Sequence, residues 1–165
     1  MKLDIGCGKY KREGYLGVDL KKFDGVDYPI LDLRGDWPFK NGEVDEIYTS
    51  HFLEHLTDNE VVDVLKEAAR VLKPGGQFEV IVPDLPGVLN EFLKADFNSK
   101  WSWWIQTIFG NQAHEGEFHK TGFDSEKLEI MLSNTGFIVT SIESVFDHNQ
   151  PSLRALAVKK HATTD

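Results

Sequence analysis

One cysteine, Cys7, is all that the sequence carries. It cannot close an internal disulfide and supplies too little thiolate for a structural zinc site, so a reducing compartment, the cytoplasm, is expected. Long apolar runs are missing as well. The stretch Phe78 to Val82 is already interrupted by Glu79, far short of the roughly 18 residues that a bilayer span needs. Met1 leads straight into Lys2-Leu3-Asp4-Ile5 without a charged and then apolar leader, so no secretory signal is expected. Positive charge is scarce: 18 basic residues stand against 27 acidic ones, for a net charge of −9, and they fall in scattered pairs such as Lys21-Lys22 and Lys159-Lys160. Without a basic stripe to neutralise phosphates, nucleic acid is not an expected partner, and neither is a membrane. Internal repeats and low-complexity segments are absent too.

What is present suits one globular domain. The chain has 165 residues, 41% of them hydrophobic, which is enough for one core and too few for a second. A single domain over residues 1–160 with a tail over 161–165 is expected. Strand-like runs fall at Lys2 to Ile5, Tyr15 to Asp19, Tyr28 to Leu31, Asp45 to Ser50, Gln77 to Val82, Phe137 to Val145 and Leu153 to Lys159. Between the fourth and fifth, Thr57-Asp58-Asn59-Glu60 opens a helix as a capping box, with Val61, Leu65, Ala68 and Leu72 on one face. Lys73-Pro74-Gly75-Gly76 ends it, and the glycines permit a tight turn into the next strand. A second helix starts after Asp124, carries Leu128, Met131 and Leu132, and stops at Gly136. Strands alternating with helices predict a parallel sheet. The last two strands are joined by Phe146 to Ser152, too short for a helical crossover, so they form a hairpin that makes the final strand antiparallel.

The chemistry concentrates at strand ends. The first strand runs into Asp4-Ile5-Gly6-Cys7-Gly8, a glycine turn at the carboxyl edge of the sheet, where open α/β folds bind ligands. Asp19 ends the second strand and Asp32 the third; two acids beside a glycine turn describe a nucleoside site. A dinucleotide fingerprint needs glycine at position 11, where Lys11 stands, so the nicotinamide reading loses its phosphate cradle. At the end of the fourth strand, His51-Phe52-Leu53-Glu54-His55 matches the H-x-x-E-H pattern of inverted zinc peptidases. Histidines four apart on a helix share a face and can hold a metal.

Taken together, LDIGCG, GVDL, ILDL, WPFKNGEVDEIYTSHFLEHL and RVLKPGGQFEVIVPD resemble class I S-adenosylmethionine-dependent methyltransferases of the compact methyltransferase-11 kind. The likeness runs from Leu3 to about Asp84 and resumes at FHKTGFDSEKLEIMLSNTGF. It implies an α/β, Rossmann-like three-layer sandwich with a seven-stranded, mostly parallel sheet whose last strand is antiparallel. It implies S-adenosyl-L-methionine as cofactor, held by the turn Gly6, Cys7 and Gly8 against its methionine part with Asp4 in support. Asp19 would take the ribose hydroxyls and Leu20 the adenine; Asp32 would accept from the adenine amino group with Leu33 nearby. Ser50 and His51 would face the sulfonium. The resemblance also explains HFLEH as a strand-to-helix junction, so no metal ligand is assigned.

Two features depart from the family pattern. Only nine residues, Gly6 to Gly14, separate the first two strands, fewer than the roughly 10 to 12 of a helical crossover; the first crossover helix is expected to be reduced or missing. Lys9-Tyr10 replaces a third glycine. Cover for the cofactor then falls to residues 85–123, rich in Trp101, Trp103, Trp104, Phe109, His114 and His119, and expected to form the acceptor-site insertion or lid. For Trp101, Trp104, Ile105 and Ile108 the plainer expectation is the buried face of a helix. The reading is methyl transfer to a small-molecule acceptor or biosynthetic intermediate. If the acceptor must lose a proton, His119 is the first candidate base, with His51, Asp84 and His114 behind it. A cofactor-binding sensor or subunit without catalysis is the rival, and a zinc hydrolase using HFLEH a third reading.

Overall fold

The computed structural model describes residues 1–29 and 31–161. Its apolar runs become the strands β1 (Lys2–Ile5), β2 (Leu16–Asp19), β3 (Tyr28–Pro29), β4 (Val44–Ser50), β5 (Leu72–Pro83), β6 (Phe137–Asp147) and β7 (Gln150–Lys159). They pair in one sheet of seven in the order β3-β2-β1-β4-β5-β7-β6. Only β7 runs against its neighbours; the others are parallel, as the short final connection requires. That connection is tighter than expected: Asp147 pairs with Gln150, leaving His148 and Asn149 as a two-residue turn with φ of 46° and 61°. Two successive left-handed residues make the hairpin turn whose twist matches the flanking strands.

Other boundaries move for identifiable reasons. The strand expected over Tyr28 to Leu31 shrinks to a two-residue pairing with β2, and Ile30 lies outside the described residues. Lys73 to Gly76 does not separate helix from strand. Val44 pairs with Leu72 and Glu46 with Gln77, so the four residues bulge out of a strand that has already begun, with Gly75 at φ 75°.

The expected helices form at α1 (Asp58–Val71) and α5 (Ser125–Asn134). Thr57 and Glu60 cap α1 reciprocally: the Thr57 N–H donates to Glu60 at 2.8 Å and the Glu60 N–H to the Thr57 hydroxyl at 3.4 Å, an arrangement worth about 1 kcal/mol. Val61, Leu65 and Ala68 of α1 and Leu128 and Leu132 of α5 are fully buried. They join one core with Leu3, Ile5, Ile47, Phe78 and Ala155, which share one face of the sheet by register.

On the other face no helix forms between β1 and β2, as the nine-residue spacing predicts. Residues 6–15 fold directly onto the sheet, so closely that a side chain at Gly17 would put its Cβ 2.8 Å from Lys11 and 2.9 Å from the Cys7 sulfur. The Arg12 N–H donates to Asp4 Oδ2 at 2.7 Å, and the Arg12 guanidinium reaches Glu79 at 2.7 Å while lying over the Tyr48 ring at 4.3 Å. Arg154 takes the second Glu79 oxygen at 2.7 Å. Side chains and one loop thus do what a crossover helix would.

Between β5 and α5 the chain forms α2 (Leu85–Lys94), α3 (Phe97–Ser99), a π-helical turn (Lys100–Trp104) and α4 (Ile105–Phe109). The expected buried face of Trp101, Trp104, Ile105 and Ile108 does not form as one stripe. The π-turn adds a residue per turn and breaks the helical period, leaving Trp101 56% exposed and edge-on to Phe92. Among the described residues no helix is long and apolar enough to cross a membrane.

The turn after β1 supplies a sharp test. Gly6 has φ 66°, and a Cβ there would meet the Phe52 ring at 2.4 Å, whereas Gly8, at φ 54°, has nothing within 4 Å. Gly6→Ala should therefore cost roughly 2 to 4 kcal/mol, strain plus overlap, and Gly8→Ala only the roughly 1 to 2 kcal/mol of a left-handed alanine. Urea unfolding of the two variants measures the difference; equal losses would mean that Phe52 moves aside freely.

Candidate active site

The sheet order reverses between β1 and β4, so their carboxyl ends open a crevice, and two segments meet there. From β1 comes the glycine turn, tied by the Gly6 N–H to the Val18 carbonyl at 2.8 Å. Asp19 Oδ2 accepts the Gly8 N–H at 2.9 Å and Oδ1 the Lys21 N–H at 2.8 Å, so β2's terminal acid shapes the same loop. Asp4 is buried beneath it, and burial lifts its carboxyl to about 6 despite the Arg12 N–H that favours the charged form. Burial, then the Asp4 and Asp19 carboxylates, push the Cys7 thiol up to about 12, which disqualifies it as a nucleophile at neutral pH. Leu20 is half-exposed beside this turn.

From β4 comes Ser50 and then His51, held at φ 51° although not a glycine. A 3-10 turn over Leu53–His55 follows, not an α-helix. In that geometry His51 and His55 do not share a face, as the peptidase pattern would need. His51 Nδ1 lies 3.2 Å from Glu54 Oε1 and its Nε2 lies 3.1 Å from Asp147 Oδ2, on the hairpin tip. Burial alone would depress His51, but the two carboxylates outweigh it and raise its pKa above the usual histidine value. The Gln150 amide also reaches Nδ1 at 3.2 Å, and the His148 ring packs edge-on at 4.6 Å. His55 turns the other way. Its Nδ1 donates to the Phe118 carbonyl at 3.2 Å, and its ring lies 4.9 Å from that of His119.

Glu54 stands between the two groups. It is 1% exposed, and its Oε2 has no hydrogen-bond partner among the described residues. Burial disfavours its charge, yet His51, His55 and His119 together hold its carboxyl below the usual glutamate range. His119 is driven down, by burial first, with His55 adding to it and Glu54 opposing.

A cleft of about 490 Å³ runs along this surface, lined by Tyr10 of the glycine loop, His51, Glu54, Trp103, His119 and Gln150, among others. His51 and His119 are thus brought together. Asp84 does not line it; it begins α2 and pairs through its backbone with Phe123 and Pro151. His114 sits apart, against the Lys21 ammonium and 3.1 Å from Glu117, bridging the segment over residues 85–123 to the end of β2. Asp32 is engaged by Arg34, at 2.8 Å and 2.7 Å to its two oxygens, and Leu33 is buried in the core. Sequence reasoning missed Tyr10, Asp147 and Gln150. The last two are delivered by a hairpin whose register no local pattern fixes.

A family model described as a methyltransferase domain matches residues 17–80. No curated protein sequence matches significantly. Among solved structures, an S-adenosylmethionine-dependent methyltransferase from Methanosarcina mazei superposes with a TM-score of 0.67 at 19% identity, covering 96% of this chain and 92% of that one. In fold the chain is similar to class I S-adenosylmethionine-dependent methyltransferases, and the family model adds a methyltransferase-domain match over its first half. The Burkholderia thailandensis 1,6-didemethyltoxoflavin-N1-methyltransferase, solved with its substrate and S-adenosylhomocysteine, gives a TM-score of 0.68 at 15% identity over 97% of this chain and 71% of its own. A Haloferax volcanii methyltransferase structure, in complex with the Trm112 activator, gives 0.66 at 17% over 97% and 82%. At these identities the structures establish the fold. S-adenosylmethionine is the cofactor of the class.

Asp4 yields a pH test. Its folded pKa of about 6 lies above the ordinary 3.8, so the penalty is absent in acid and grows as pH rises through the folded value. Asp4→Asn keeps an acceptor for the Arg12 N–H and removes the charge. Its stability relative to wild type should improve between pH 4 and pH 7 by an amount on the order of 2 to 3 kcal/mol; a pH-independent difference in urea midpoints would show that Asp4 is not the group being charged.

Proposed function

We propose that this protein transfers the methyl group of S-adenosylmethionine to a small polar acceptor that enters the cleft between Tyr10, Trp103 and His51. The observation that carries this reading is the meeting, at one edge of the sheet, of the glycine turn and Asp19 with an aromatic-walled cleft. The turn and Asp19 suit a nucleoside and an amino-acid tail; the cleft meets their loop at Tyr10. Asp19 is assigned to the ribose diol, Gly6, Cys7 and Gly8 to close backbone approach, and Ser50 and His51 to the sulfonium end. The segment over residues 85–123 acts as the acceptor wall, latched to the cofactor end through His114 and Lys21.

Methyl transfer is an in-line displacement, so alignment and exclusion of water supply most of the rate. A hydroxyl acceptor also has to lose a proton. His51 takes it in its neutral form, with Glu54 fixing the ring through Nδ1 and the acceptor replacing Asp147 at Nε2. Its raised pKa means that the neutral form grows as pH climbs above the ordinary histidine range, and activity with such an acceptor should climb with it. The same shift has a structural sign: the His51 ion pairs stabilise the fold below its unfolded pKa and are lost as pH rises through the folded one.

Asp19→Ala should weaken S-adenosylhomocysteine binding by about 1.5 to 3 kcal/mol, the loss of charged hydrogen bonds to a diol. Calorimetry measures it, and full affinity in a folded variant would remove Asp19 from the site. Enzyme and silent binder separate when the protein is incubated with methyl-labelled cofactor and metabolite extracts: label in a small molecule supports catalysis, and binding without label transfer supports a sensor or subunit.

His51 can be followed without any acceptor. Histidine NMR titration should place its pKa above the ordinary 6.5, and Asp147→Asn should lower it by removing one of the two flanking carboxylates. An unmoved titration in that variant would mean that Asp147 does not tune the ring.

A further inference from the structure

We propose that Glu54, His55 and His119 form a binding site for a zinc-class divalent metal ion whose open position faces the cleft. The proposal starts from the orphaned oxygen: Glu54 Oε2 is buried and unpartnered among the described residues, while Oε1 is the oxygen that His51 engages. Leaving a buried carboxylate oxygen unmatched is costly, more so than for a neutral group. Two imidazoles stand where a partner is needed, and one ligand atom from each of the three residues lies within 4.8 Å of the others. Bonds of about 2.0 to 2.1 Å in a tetrahedron bring ligand atoms to roughly 3.4 Å apart, so the side chains close by about an ångström on binding.

The surroundings fit ligation. The His55 Nδ1–H is committed to the Phe118 carbonyl, which fixes the tautomer and leaves Nε2 with a free lone pair. Metal-binding histidines are commonly oriented in this way. His119 is anchored on the same strip of chain, because its N–H donates to the Phe109 carbonyl at 3.1 Å while the Lys120 N–H donates to the Glu54 carbonyl at 2.8 Å. Two nitrogens and one carboxylate favour zinc, cobalt or nickel over magnesium or calcium, which prefer all-oxygen sites. All three residues line the cleft. A divalent ion with one carboxylate and two neutral imidazoles keeps a single positive charge, so its open position suits an anionic oxygen of the ligand that enters. The site uses only Glu54 and His55 of HFLEH; His51 belongs to the other group.

Two rivals come from the same region. A void of about 20 Å³ behind Glu54 and His119 is large enough for one water, which would satisfy the orphan without any metal. His51, Asp147 and His148 make a second triad, but there Asp147 Oδ2 is already bonded to both rings and no buried atom is left over.

The whole chain, stripped with chelator, is titrated with Co²⁺ and followed by its visible absorption, then with Zn²⁺ in competition. A tetrahedral cobalt spectrum saturating at one equivalent and displaced by zinc is expected. His119→Ala and Glu54→Gln should each weaken Co²⁺ by more than the roughly 10- to 100-fold that loss of an outer partner costs, and His148→Ala should leave it unchanged. S-adenosylhomocysteine affinity, measured on every variant, reports folding and the methyltransferase reading independently of the metal. If Glu54→Gln does not fold, His119→Ala and His55→Ala carry the test. The absence of a saturable cobalt spectrum would overturn the proposal in favour of the water. So would binding lost in His148→Ala but retained in His119→Ala.

Discussion

The buried carboxylate of Glu54 is the constraint around which the cleft is arranged. Its backbone carbonyl receives the N–H groups of Lys120 and, at 3.3 Å, Thr121, fastening the far end of the segment over residues 85–123 to the residue that follows β4 by four. Its side chain holds His51 on one side and faces two further imidazoles on the other. A carboxylate this deep is tolerated only with positive or donating groups around it. The histidines therefore stabilise Glu54 as much as Glu54 orders them. Removing either would loosen the β4 loop, the hairpin tip and the segment together.

The opposite half of the crevice answers a different problem. A chain without its first crossover helix has to cover the strands beneath with something else, and here the cover is Arg12. Its N–H stops at Asp4, its guanidinium at Glu79, and its flat face rests on Tyr48 and Tyr15, the latter at 5.1 Å. Because the loop lies directly on the sheet, β2 needs a glycine at position 17. The polar layer is also what keeps Asp4 out of water. Its raised pKa follows from this burial first, with the neighbouring Asp19 a smaller contributor.

These two halves differ in how far they could be read from the chain. The glycine turn, Asp19, the capping box of α1 and the antiparallel last strand rest on local signals, a positive φ, a strand end, a reciprocal cap and a connection too short to cross over, and each stands where the sequence predicts. The face proposed for Trp101 and Trp104 failed because a π-turn changes the helical period without leaving a mark in the letters. HFLEH, read as a strand-to-helix junction, occupies one, and its peptidase-like spacing has no helical face behind it. Its spacing implies a shared helical face, but the residues occupy a 3-10 turn after a left-handed His51, and the two histidines part. Asp147 and Gln150 were invisible at the outset because they reach His51 across a separation in sequence that only the β7 register closes.

The register also bears on the chemistry. His148 and Asn149 take left-handed conformations in a two-residue turn, and a longer loop would let Asp147 swing away from His51. With the turn fixed, His51 is left between two acids, and its proton is held more tightly than an isolated imidazole would hold it. His119, a short distance along the same cleft, is pushed in the other direction by burial and by His55. One surface therefore presents a histidine biased toward its charged form beside a histidine biased toward its neutral form, separated by a single carboxylate. On the proposed reading, a proton leaving an acceptor in this cleft finds its more basic destination at His51, while lone pairs for a Lewis acid or a hydrogen-bond donor are to be found at His55 and His119. The division of labour follows from which side of Glu54 each ring occupies.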